Sequence, residues 1–158
     1  MSDAVLALKL LHILGATVLL GTGLGIAFFM WMAHRTGEPK LIAHTAGIVV
    51  IADFVFTLVA AILQPATGLG LAFAMGYPVT EPWIAASLGL FVLVGLCWLP
   101  VVWLQIRMEA LAKIAADSGA PLPPEYDRLF RWWFALGWPG FGGVIAIFAL
   151  MIWRPSLW

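Results

Sequence analysis

The side chains able to do chemistry are few, and they stand in apolar surroundings. His12 lies inside Leu8–His34, LKLLHILGATVLLGTGLGIAFFMWMAH, a run apolar for longer than a bilayer is thick. An imidazole in hydrocarbon is tolerated when it meets a metal or a neighbouring helix's polar atom. At 100° per residue, Gly15, Leu19, Thr22 and Gly23 share its side of a helix. A flat glycine surface beside an imidazole suits either the edge of a porphyrin or a close helix crossing. Neutral imidazole in an apolar pocket is a good axial ligand to haem iron, so His12, Gly15 and Gly23 form the candidate cofactor face. A hydrogen bond across a helix bundle is the plainer alternative for His12. Thr17, Gly21 and Gly25 fall on the opposite side as a small-xxx-small stripe, which lets another helix approach closely.

The second intramembrane ionisable group is Asp53, expected near mid-depth. Ala46, Asp53, Thr57, Ala60, Gln64 and Thr67 share one helical face, a polar stripe through an apolar segment. A carboxylate there costs several kcal/mol unless it is paired or protonated. The stripe suits a proton carrier or a polar ligand contact, and equally well interhelical hydrogen bonds. Trp98 and Trp138 could wall a pocket, and Pro65, Pro100 and Pro139 interrupt the backbone ladders of three helices. Arg107, Arg128 and Arg131 are candidates for holding an anion at one membrane surface, with simple anchoring as the default. His34 and His44 lack a carboxylate or thiolate at metal-site spacing, so a surface role is expected. No phosphate loop, Ser/His/Asp order, CxxCH or HExxH occurs.

These groups need long apolar helices to position them. Of 158 residues, 63% are hydrophobic and 10% charged, against about a quarter charged in soluble domains. Lipid must therefore be the solvent. Eight basic and eight acidic residues cancel, which removes the electrostatic case for nucleic acid. The single cysteine, Cys97, gives no disulfide within the chain. No basic run precedes the first apolar segment, so it is expected to be a retained helix rather than a cleaved signal. A hydrocarbon core of about 30 Å takes roughly 20 helical residues. Four segments qualify, at about 4–33, 41–74, 83–106 and 129–153, separated by turns rich in Gly and Pro and by a longer polar connection over 107–127. The expected fold is an all-α, four-helix transmembrane bundle forming one domain over residues 1–158. Arg35, Lys40, Arg107, Lys113, Arg128 and Arg131 flank the first and third connections, whereas the termini hold only Lys9 and Arg154. That bias predicts a bacterial inner-membrane protein with both termini outside, in the periplasm.

The run Lys9-xx-His12-Ile13, closing in His34-Arg35, resembles the first helix of a bacterial family of predicted integral membrane proteins of unknown function. Gln64-Pro65-Ala66-Thr67-Gly68, the run from Trp98 to Arg107, and Tyr126-Asp127-Arg128-Leu129-Phe130-Arg131 carry the same resemblance over nearly the whole chain. More distantly the chain is similar to HemJ-type protoporphyrinogen oxidases and CopD-like copper-resistance membrane proteins, which also open on a Lys-xx-His helix. That resemblance implies b haem on His12 and membrane redox chemistry, either electron transfer or porphyrin oxidation. The later-helix lysine and the Asn-Glu-x-Pro run of HemJ-type proteins have no counterpart here, where the last helix reads Gly137-Trp138-Pro139. Two other functions fit the residues: a non-catalytic subunit of a homo-oligomer or larger membrane complex, and a proton or small-solute transport component.

Overall fold

The computed structural model describes residues 2–157. Four helices long and apolar enough to cross a membrane follow one another: α1 (Asp3–Thr36), α2 (Pro39–Ala74), α3 (Pro82–Ser118) and α4 (Pro124–Trp153). Their ends are set by local chemistry. Proline opens α2, α3 and α4, where a missing backbone donor costs nothing and φ is already helical. Gly37 and Gly119 close α1 and α3 in the left-handed conformation, at φ 64° and 66°.

Within α2 the backbone widens to a π turn over Asp53–Thr57. No proline or glycine lies in it. Both end residues, Asp53 and Thr57, are buried, while Phe54, Val55 and Phe56 between them face outward. Such turns inside α-helices recur at functional sites.

The helices are longer than the bilayer requires. At ~1.5 Å per residue, α3 extends about 55 Å, well beyond a ~30 Å hydrocarbon core. The sequence places the end of the third helix near Ile106 and the start of the fourth near Leu129. Instead α3 continues for about three more turns and α4 begins at Pro124, so only Gly119 to Pro123 remains as connection. Every acidic and basic residue except Asp3, Lys9, Asp53, Glu81 and Arg154 lies at this end of the molecule, which we call the charged end. The opposite end, with both termini and the α2–α3 turn, is the terminal end.

Packing is uneven along the bundle. The main core joins all four helices at the charged end, through Met30, Ile42, Ala46, Met108, Ala112 and Tyr126, each fully buried. Toward the terminal end α1 stays on α2 and α3 stays on α4, but the two pairs scarcely touch each other. The molecule is therefore a wedge, closed at the charged end and parted at the other. A small second core of Ala72, Trp83 and Ile84 ties the terminal rim together. Around the outside, Phe29, Phe56, Leu96, Trp132, Trp138 and Ile145 are exposed, as suits side chains that face lipid.

Candidate functional site

The parting of the helix pairs leaves a cavity of about 450 Å³, within the roughly 300–1,000 Å³ usual for small-molecule sites. All four helices line it, mostly with apolar side chains such as Leu69, Phe91 and Phe148. Its polar side chains are few: His12, Thr17, Gln64, Tyr77 and Ser87, with Lys9 and Arg154 toward the termini. Ile13, Thr17 and Ile152 both line the cavity and are exposed, so its mouth lies between α1 and α4.

His12 is held on α2 by a set of short contacts. Its Nδ1 lies 2.8 Å from Thr67 Oγ1. The Thr67 hydroxyl donates to Leu63 O at 2.7 Å, the usual bond of a helical threonine to the preceding turn. With its one proton committed there, that oxygen accepts from His12, and Nδ1 carries the ring proton. Nε2 is then the unprotonated nitrogen. It has no hydrogen-bond partner among the described residues and is not sealed from the cavity. The amide of Gln64 donates to His12 O at 2.8 Å, bracing the same turn of α1. Gly68 gives the imidazole its room, since a Cβ there would sit 3.1 Å from His12 Cε1.

The structure separates residues that the sequence groups. Gly15 is filled by Gln64, whose Nε2 lies 2.5 Å from where a Cβ would stand, and a Cβ on Gly23 would lie 3.5 Å from the ring of Phe141. Both glycines serve close packing, and neither lines the cavity. Gly21 and Gly25 have nothing within 4 Å, so the small-residue stripe has no partner within the described chain.

Asp53 belongs to a second, separate cluster. It is 3% exposed and accepts from the Trp98 indole, Nε1 to Oδ1 3.1 Å. Gln105, fully buried on α3, sits between Asp53 and Trp133 of α4. An indole N–H can only donate, which turns the Gln105 oxygen toward Trp133 at 3.1 Å and its Nε2 toward Asp53 Oδ2 at 2.6 Å. Both carboxylate oxygens are thus served by N–H donors, and α2, α3 and α4 are tied at one level. Gln105 and Trp133 each stand two residues from an exposed arginine, Arg107 and Arg131, so Asp53 lies toward the charged end. Thr57 Oγ1, one turn nearer the cavity, is buried without a partner. Trp138, unlike Trp98, points outward and is 70% exposed.

Of the arginines at the charged end, Arg107 pairs with Glu125 at 3.1 Å, and Arg128 and Arg131 are exposed. His34 is only partly exposed. It stacks on Phe130 with ring centroids 3.6 Å apart, beside Tyr126. Sequence reasoning counted Arg154 only as a terminal charge and gave it no place in a site. Its guanidinium stands 5.3 Å from the Trp83 ring centroid and 5.9 Å from that of Tyr77, and Nη1 donates to Tyr77 Oη at 3.3 Å. Among the described residues, no group of three or more His, Cys, Asp or Glu side chains could hold a metal ion.

Fold and site together define a four-helix integral membrane protein with an apolar cavity at one end, opened by the parting of two helix pairs. Residues 6–155 match the family model described as predicted integral membrane protein, domain of unknown function 2269, and the chain belongs to that family. No curated protein and no solved structure matches the chain.

Proposed function

We propose that the cavity is a b-haem site and that the protein takes part in membrane redox chemistry. The observation that carries this reading is the fixed tautomer of His12: with Nδ1–H held by Thr67, Nε2 is left bare beside a large apolar cavity. Metal-binding histidines characteristically give their other ring nitrogen to such an outer partner.

The residues fit the group. The cavity offers one imidazole, apolar walls, and the thioethers of Met75 and Met151. His12 is the residue that would hold the iron, and either thioether is available as a second soft ligand. Lys9 and Arg154, at the rim of the cavity, would be available to pair with the acidic side groups of the haem. When bound, haem supplies one-electron chemistry that this chain's own side chains lack. The chain itself orients the imidazole through Thr67, braces its helix turn through Gln64, makes room for it at Gly68, and surrounds it mostly with apolar side chains. The charged end, carrying most basic residues, is the cytoplasmic side in this reading, with both termini in the periplasm.

An absorbance spectrum of the purified protein tests the proposal. A Soret band that His12→Ala abolishes is the expected result. Protein that acquires no such band when supplied with haem, or a band unchanged in His12→Ala, would overturn it.

A second reading, a subunit that assembles with copies of itself or with a larger complex, is favoured by the unspent Thr17/Gly21/Gly25 face. The mass of the detergent-solubilised protein, with Gly21→Leu as control, tests it: a single-chain mass for the unaltered protein argues against it. Transport along the Asp53–Thr67 stripe has less support. Ala60 separates the two polar clusters, and the charged end is filled by a packed core.

A further inference from the structure

Arg154 is built more carefully than an anchoring residue needs to be. It caps α4 with φ 46°, the only non-glycine residue with positive φ among those described. A residue with a Cβ takes that conformation at a cost, and such costs gather at functional positions. The turn swings the side chain back over the terminal rim, where Tyr77 and Trp83 hold the guanidinium by their ring faces. One N–H goes to Tyr77 Oη, and no carboxylate among the described residues pairs with the group. The remaining donors of a flat, pre-positioned fork are left at the edge of an apolar cavity. Lys9, one turn from His12 toward the N-terminus, borders the same cavity without an acidic partner among the described residues.

An apolar chamber with two cations at its rim is complementary to a molecule that is apolar in its body and anionic at one end. We propose that Arg154, with Lys9, forms an anion subsite that binds the carboxylate of an amphipathic ligand whose apolar part fills the cavity. Arg154 supplies the directional contact, since its fork matches a carboxylate's two oxygens, and Lys9 supplies a mobile point charge. The choice of carboxylate over phosphate rests on the cofactor reading above, haem being a dicarboxylic acid. The subsite itself rests on the geometry of Arg154.

The test compares each acid with its neutral ester. Haem and its dimethyl ester are titrated into the purified apo-protein in a neutral detergent and followed at the Soret band. A pyrene-labelled fatty acid and its methyl ester are titrated in parallel and followed by fluorescence. The unaltered protein should prefer the acid in each pair, by about tenfold for a charge-assisted contact. Arg154→Gln and Lys9→Met should each shrink that preference while leaving ester binding unchanged, and Arg154→Lys should keep part of it. An acid-to-ester ratio unaltered in both neutralising variants overturns the subsite. So does an equal loss of acid and ester, which would make Arg154 a packing residue. If the fatty-acid pair discriminates while haem gives no Soret band, the subsite stands and the cofactor reading fails. If haem binds but neither pair discriminates acid from ester, the subsite fails and the cofactor reading stands.

Discussion

At the scale of single residues, polar atoms in this chain are legible as problems before they are legible as solutions. His12 and Asp53 both require partners in an apolar segment, and both have them, but the two answers differ in kind. Asp53 is fully used: Trp98 and Gln105 serve its two oxygens, and Trp133 fixes the direction of the Gln105 amide. Asp53→Asn places an N–H against one of those donors, a mismatch expected to cost about 1–3 kcal/mol. Thermal unfolding in detergent should show the loss, with Gln105→Leu also destabilising because it strands both Asp53 and Trp133. His12 is only half used, its second nitrogen bare. Thr67→Val removes the acceptor that fixes the ring, and haem affinity should fall by about 10- to 100-fold, as for other outer partners of metal-binding histidines. Gly68→Ala should act in the same direction by crowding Cε1, while the helix content seen by circular dichroism stays unchanged. Arg154 gave no warning in the sequence. Near the end of a membrane chain it reads as one more snorkelling cation, and only its φ and its two flanking rings set it apart.

At the scale of elements, the four apolar segments follow from hydropathy and length, and the Pro and Gly positions gave their ends at the first turn. The continuation of α3 also has a signal in the sequence. Arg107 to Ser118 is rich in Ala, Leu, Met, Glu and Lys, all good helix formers. Met108, Ala112 and Ala115 fall at helical spacing and are buried. Polarity there marked a change of solvent, from lipid to water, and not a change of backbone. The π turn was not legible, because no residue type in Asp53–Thr57 demands it. It carries Asp53 and Thr57 on its buried side, with Asp53 facing Trp98 and Gln105 of α3. Crossing distances were equally hidden. Gly143 of α4 lies so close to α3 that an added Cβ would stand 2.6 Å from Val94 Cγ2. Gly143→Ala is therefore expected to destabilise the protein by about 1–3 kcal/mol. Gly21→Ala, with nothing nearby, should be neutral in the isolated chain, and the same thermal measurement compares them.

At the scale of the whole molecule, the uneven distribution of charge and of packing describes one fact. Helices that outrun the bilayer must continue into water, and they do so where the charged side chains are. A cysteine introduced at Asp117 and one at Asp3, each with Cys97→Ser, should react with a membrane-impermeant maleimide from opposite faces of sealed vesicles. Labelling of both from one face would contradict the two-ended arrangement. The wedge itself could not be foreseen from periodicity, which reports the buried side of each helix but not which helices meet at which depth.

A body packed solid at one end and held at the other only by its small rim core resembles a pair of tongs with a light clasp. The Asp53 cluster, between the closed core and the gap, is where its limbs are pinned. Any guest that spreads the jaws must strain the Trp98 and Gln105 bonds from a distance. The emission of Trp98 should thus register occupancy of a chamber that it does not itself border.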